Sequence, residues 1–78
     1  MSEAVRTLRF HYGLYSGQAV EQTCAAFGVC ADVEFSQEEP HYIVALTSPK
    51  DGADLNEIAD EFGNFALGLT IEERRAGS

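Results

Sequence analysis

Residues 54–75 read DLNEIADEFGNFALGLTIEERR, and two periodicities compete within them. Leu55, Ile58, Ala59, Phe62, Phe65, Ala66 and Leu69 recur at spacings of three and four, which places them on one face of a helix. From Phe65 onward a second pattern begins. Phe65, Leu67, Leu69 and Ile71 alternate with Ala66, Gly68 and Thr70, the period of a strand. A helix reaching Arg75 leaves Leu67 and Ile71 off the apolar stripe and exposed. A strand over 65–72 puts the same side chains into a core. Gly63 and Gly68 each cost a helix interior about 1 kcal/mol relative to Ala, a penalty that tertiary burial can offset. Propensity leaves both conformations open.

The elements before this stretch are shorter and clearer. Val5 to Tyr12 alternates as a strand, with Leu8, Phe10 and Tyr12 on one side and Thr7, Arg9 and His11 on the other. Met1 to Ala4 read as a frayed end. Gly13-Leu14-Tyr15 turns the chain, and Ser16 is a candidate N-cap for a helix over 17–27. Val20, Cys24 and Phe27 form that helix's apolar face, with Ala19 and Thr23 beside them. Gly28 suits a left-handed helix-closing position. Val29 to Ser36 reads as a second strand with Val29, Ala31, Val33 and Phe35 inward and Cys30, Asp32 and Glu34 outward. Gln37 to Pro40 is a turn. His41 to Ser48 is a third strand, with Tyr42, Val44 and Leu46 inward. After the breaker loop Pro49 to Gly52, Asp54 and Glu57 have the spacing of a capping box.

This order predicts one α+β domain over residues 1–78: β-α-β-β-α, with a small antiparallel sheet, the third strand central, and both helices on one face. It is the first five elements of a ferredoxin-like fold. A strand at 65–72 would supply the sixth.

With 78 residues and two cysteines, the chain has a small core and no disulfide framework. Domains of this size bury only roughly 60% of their unfolded surface, which favours a partner subunit or a homo-oligomer. The net charge of −8, from thirteen acidic and five basic residues, argues against nucleic-acid binding, which needs clustered cations. No apolar run approaches the roughly twenty residues of a membrane span, and no secretion signal is evident. Free thiols and a cytoplasmic location are expected.

Several short motifs carry a family resemblance. Tyr15-Ser16 precedes Ala19-Val20, and Ala25-Ala26-Phe27 follows. Tyr42-Ile43-Val44 forms part of a strand. Glu61-Phe62, Asn64 and Leu67 stand in the order E-F-x-N-x-x-L. Across most of its length the chain resembles the HxsD-like proteins, small components of His-Xaa-Ser peptide maturation systems. The resemblance implies a helper protein encoded beside a radical S-adenosylmethionine enzyme that modifies a ribosomally made peptide. It implies no cofactor of the chain's own, with the iron–sulfur cluster held by the partner enzyme. It also favours a helix through Phe65 to Arg75.

No catalytic motif is readable: there is no nucleophile elbow, and GLYSG at 13–17 lacks the lysine and glycine spacing of a phosphate loop. An anion at the N-terminus of the first helix is the most that stretch offers. The expected function is a non-catalytic accessory subunit that binds a maturation enzyme or its precursor peptide. The expected surface is the tail, Phe65, Leu67, Leu69, Ile71, Arg74 and Arg75, together with the edge strand bearing Asp32 and Glu34. The alternative is a small-molecule or metal-binding regulatory domain. In that case His11 and His41, sharing the outer sheet face with Glu34 or Asp32, are weak candidate ligands. Cys24 and Cys30 should point apart, with Cys24 as core filler.

Overall fold

The computed structural model describes residues 5–76; the expected frayed end at Met1–Ala4 lies outside them. The elements are β1 (Val5–His11), α1 (Gly17–Phe27), β2 (Asp32–Glu38), β3 (His41–Thr47) and α2 (Leu55–Ala76). The sheet order is β1-β3-β2 and both pairings are antiparallel. In register, Leu8 faces Val44 across β1 and β3, and Phe35 faces Val44 from β2. The β-α-β-β-α arrangement is thus the one the sequence predicts.

The contested stretch is one helix of 22 residues, about 33 Å long at 1.5 Å per residue. The helical period runs unbroken through the tail. Leu55, Ile58, Ala59, Phe62, Ala66 and Thr70 all lie on the covered side. A strand beginning at Phe65 would have broken that stripe after Phe62. The Asp54 carboxylate accepts from the Asn56 amide at 2.8 Å and starts the helix.

The core is a single layer between the sheet and both helices. Phe10, Val44 and Leu46 rise from the strands to meet Val20 of α1 and Leu55, Ile58, Ala59, Phe62 and Ala66 of α2. Phe62 is fully buried, with its ring 5.7 Å from that of Phe10 and 5.2 Å from that of Phe27. It therefore joins β1, α1 and α2 at one point. α2 packs on α1 and across β1, while α1 lies over β2.

Four details depart from the sequence expectations. β2 begins at Asp32, not Val29, and Val29 is 77% exposed. Gly28 is right-handed, with φ −60° and ψ −20°. The two departures share one cause. The chain leaves α1 through a further right-handed turn in which the Cys30 and Ala31 amides donate to the Phe27 carbonyl. Strand pairing is thereby delayed, and only Ala31 of the expected first three inward and outward positions reaches full burial. Cys30, expected outward, is half-buried against the core. The hairpin turn is correspondingly shorter, Glu39-Pro40 alone, because β2 continues to Glu38.

Gly63 and Gly68 stand mid-helix with nothing within 4 Å of where a Cβ would be. Gly63→Ala and Gly68→Ala should each stabilise the isolated protein by about 0.5–1 kcal/mol, read as a raised urea midpoint at unchanged slope. A lowered midpoint would mean that the α2 surface is not open at those positions.

Candidate docking surface

A single helix through the tail fixes which side chains are left over. Phe65, Leu67 and Ile71 are 45%, 41% and 44% exposed, while Leu69 is half-buried. Phe65 lies along the seam with α1, its ring 5.7 Å from Phe27. Leu67 points about 160° away around the axis, so Leu67 and Ile71, one turn apart, form the opposite flank. Arg74 is on that flank too, and its guanidinium donates to the Gly13 carbonyl at 3.1 Å. Arg75 is exposed on the last turn. Nothing in helix propensity asks for Leu and Ile here. Glu or Lys at 67 and 71 would suit an exposed helix as well or better, since β-branched Ile loses rotamer freedom.

The tail is held by a polar latch that sequence reasoning did not find. Thr70 is fully buried; its hydroxyl donates to the Ala66 carbonyl at 2.8 Å and accepts from the Ser16 amide at 3.2 Å. The Ser16 hydroxyl accepts from the Ala19 amide at 3.2 Å, which is the expected N-cap. It also donates to the Glu73 carboxylate, 2.9 and 2.8 Å from the two oxygens. Glu73 thus places a negative charge at the positive end of α1. The anion that GLYSG could receive is supplied by the chain itself. The available signal was Thr70 and Glu73 continuing the Phe62–Ala66 face at spacings of four and three. Gly17 beside this latch has no room for a side chain, since a Cβ would fall 2.7 Å from the Tyr42 hydroxyl.

The other predicted groups are dispersed. Asp32 and Glu34 are exposed on β2, the edge opposite β1. His11 and His41 are direct cross-strand partners with ring centroids 5.3 Å apart. The carboxylate opposite His41 is Glu38, however. Glu34 pairs with Ala45 and Asp32 with Thr47, roughly 13 and 20 Å along the strand. The ligand set drawn from His11, His41 and Glu34 or Asp32 therefore does not assemble. His11 Nδ1 is also engaged, accepting from the Gly13 amide at 2.9 Å. Among the described residues no three His, Cys, Asp or Glu are grouped to hold a metal.

Both cysteines are free and half-buried. Burial, and then Glu21, push the Cys24 thiol up to about 11. Tyr12, with its ring 4.5 Å from Tyr42, is also raised, first by partial burial and then by Glu39 and Tyr42. A depression of about 290 Å³ lies between Val29-Cys30 and the start of α2, with Lys50, Asp51 and Glu57 on its walls. Those three walls are exposed side chains, so it offers no water-excluding site. Among the described residues no helix is long and apolar enough to cross a membrane.

Comparison of the chain with protein-family models, with curated proteins and with solved structures finds no match.

Two measurements check this geometry. Ser16→Ala removes a cap and orphans Glu73, and should cost about 1–2 kcal/mol in equilibrium unfolding. In a Cys30→Ser background, alkylation of Cys24 should be slow at pH 8 and accelerate about tenfold per pH unit up to pH ~10, because only the thiolate reacts. A plateau below pH 9 would contradict the burial of that thiol.

Proposed function

We propose that the protein is a non-catalytic accessory subunit that docks on a larger partner through the uncovered flanks of α2. The observation that supports this most directly is the set Phe65, Leu67 and Ile71, apolar and exposed within two turns of a helix otherwise fitted to its own core. Isolated apolar side chains on a surface need no explanation. A one-turn pair such as Leu67 and Ile71, rimmed by Arg74 and Arg75, forms a coherent face of the kind partners cover. The resemblance noted in the sequence gives the partner class: a radical S-adenosylmethionine enzyme of a His-Xaa-Ser peptide maturation system, or its precursor peptide. On this proposal the iron–sulfur chemistry belongs to the enzyme, and this chain contributes binding and placement.

The test is a calorimetric titration of the intact protein against the purified radical enzyme and the synthetic precursor peptide encoded beside it. The expected outcome is binding to one of them that weakens at least about tenfold in Leu67→Asp and Ile71→Asp. The thermal midpoint should hardly move, because exposed positions shift stability by roughly 0.5 kcal/mol or less. Absence of binding to both, with a monomer in light scattering, would overturn the proposal.

A further inference from the structure

Among the described residues no strand pairs with the outer edge of β1, where a ferredoxin-like plait would place a fourth strand. The chain spends the corresponding residues on the second half of α2. The backbone groups facing that edge can be named. The Tyr12 amide donates toward β3, to the Pro40 carbonyl at 2.9 Å. Antiparallel alternation then turns the amides and carbonyls of Leu8 and Phe10 toward β3. Those of Val5, Thr7 and Arg9 turn outward. The His11 carbonyl is already used by the Leu14 and Tyr15 amides, so the receptive stretch is 5–9 with the His11 amide at its end.

The side chains around this edge have a pattern. On the helix side, α2 overhangs β1, and its flank away from α1 carries Leu67 and Ile71, both exposed. Arg74 on the same flank reaches Gly13, just beyond the end of β1, which places that flank alongside the edge. On the outer side, Thr7 and Arg9 are exposed and β1 contains no acidic residue. Arg6, Arg9, Arg74 and Arg75 are four of the five cationic residues in the chain, and all lie on β1 or the last turn of α2. The opposite edge, β2, carries Asp32, Glu34 and Glu38.

We infer that the β1 edge accepts an extended peptide segment of a partner, added antiparallel as a fourth strand, in which apolar residues alternate with acidic ones. The acidic side chains stand beside Thr7 and Arg9 on the outer face. The apolar ones insert under Leu67. Backbone pairing supplies the affinity, and the two faces supply the selection. This inference deepens the docking proposal and rests on it for the role of Leu67.

The probe is a capped synthetic octapeptide alternating valine and glutamate, with an alternating valine and lysine octapeptide as control, titrated into the intact ¹⁵N-labelled protein. The glutamate peptide should shift the Val5, Thr7 and Arg9 amides and slow their hydrogen exchange, and the lysine peptide should not. Arg9→Glu should weaken the glutamate peptide about tenfold while its own thermal midpoint is retained, and Leu67→Asp should weaken it by a similar factor. Shifts confined to α2 or to β2, or equal binding of both peptides, would overturn strand addition. So would a concentration-dependent dimer whose β1 amides are protected without peptide. The two proposals fail separately. Silent β1 amides with enzyme binding intact sink only strand addition, whereas peptide addition at β1 with no enzyme or precursor binding overturns the accessory-subunit proposal and leaves strand addition standing.

Discussion

The packing of Phe62 against Phe10 and Phe27 is the constraint from which the rest of the molecule follows. From α2, its ring meets a strand and the other helix at once. Burying an aromatic of this size stabilises by about 3 kcal/mol, a large share of what a 78-residue domain commands in total. Once Phe62 is seated, the azimuth of α2 is fixed, and Ala66 and Thr70 must follow it inward. The outward position of Leu67 and Ile71 is a consequence of that azimuth, since a helix anchored on 58, 62, 66 and 70 turns 67 and 71 away.

Ser16 fixes the far end. A short helix and a long one converge there, and one hydroxyl serves both, as acceptor for Ala19 and donor to Glu73. The glycines at 63 and 68 weaken the helix between these two anchors, but neither anchor depends on local propensity. This is why α2 persists to Ala76 although two of its interior positions argue against helix.

Most of the architecture was legible because each strand alternates cleanly and each helix carries a sustained apolar stripe. Phe10, Val20, Val44, Leu46 and Phe62 are all buried where their periodicity puts them. The misread stretch, Val29 to Ala31, alternates as well as a strand does, but three residues are too few to reveal an extra helical turn. Of the candidate site, the exposure of Leu67 and Ile71 followed from the helical period once that period was chosen. Leu69 did not follow the same logic, since it sits at the margin of the buried stripe. For the link between Ser16 and Glu73, the helical period places Thr70 and Glu73 on the covered face of α2, but nothing local to Ser16 names the residue 57 positions on as its partner. The His11–His41 pairing was visible as a neighbourhood, but the choice of carboxylate needed the register, which turns on a two-residue hairpin read as four.

The hydrogen bond from Ser16 to Glu73 spans 57 residues. Closing a loop of that length costs an unfolded chain about 3.6 kcal/mol in the logarithmic length term alone. The β2–β3 hairpin closes over a two-residue turn and carries only roughly a sixth to a third of that cost. By chain separation alone the hairpin contacts are the cheaper to close, and the latch between the turn at Ser16 and the last turns of α2 is among the costlier. During synthesis, too, every residue of that hairpin is made before the residues that lock α1 to α2.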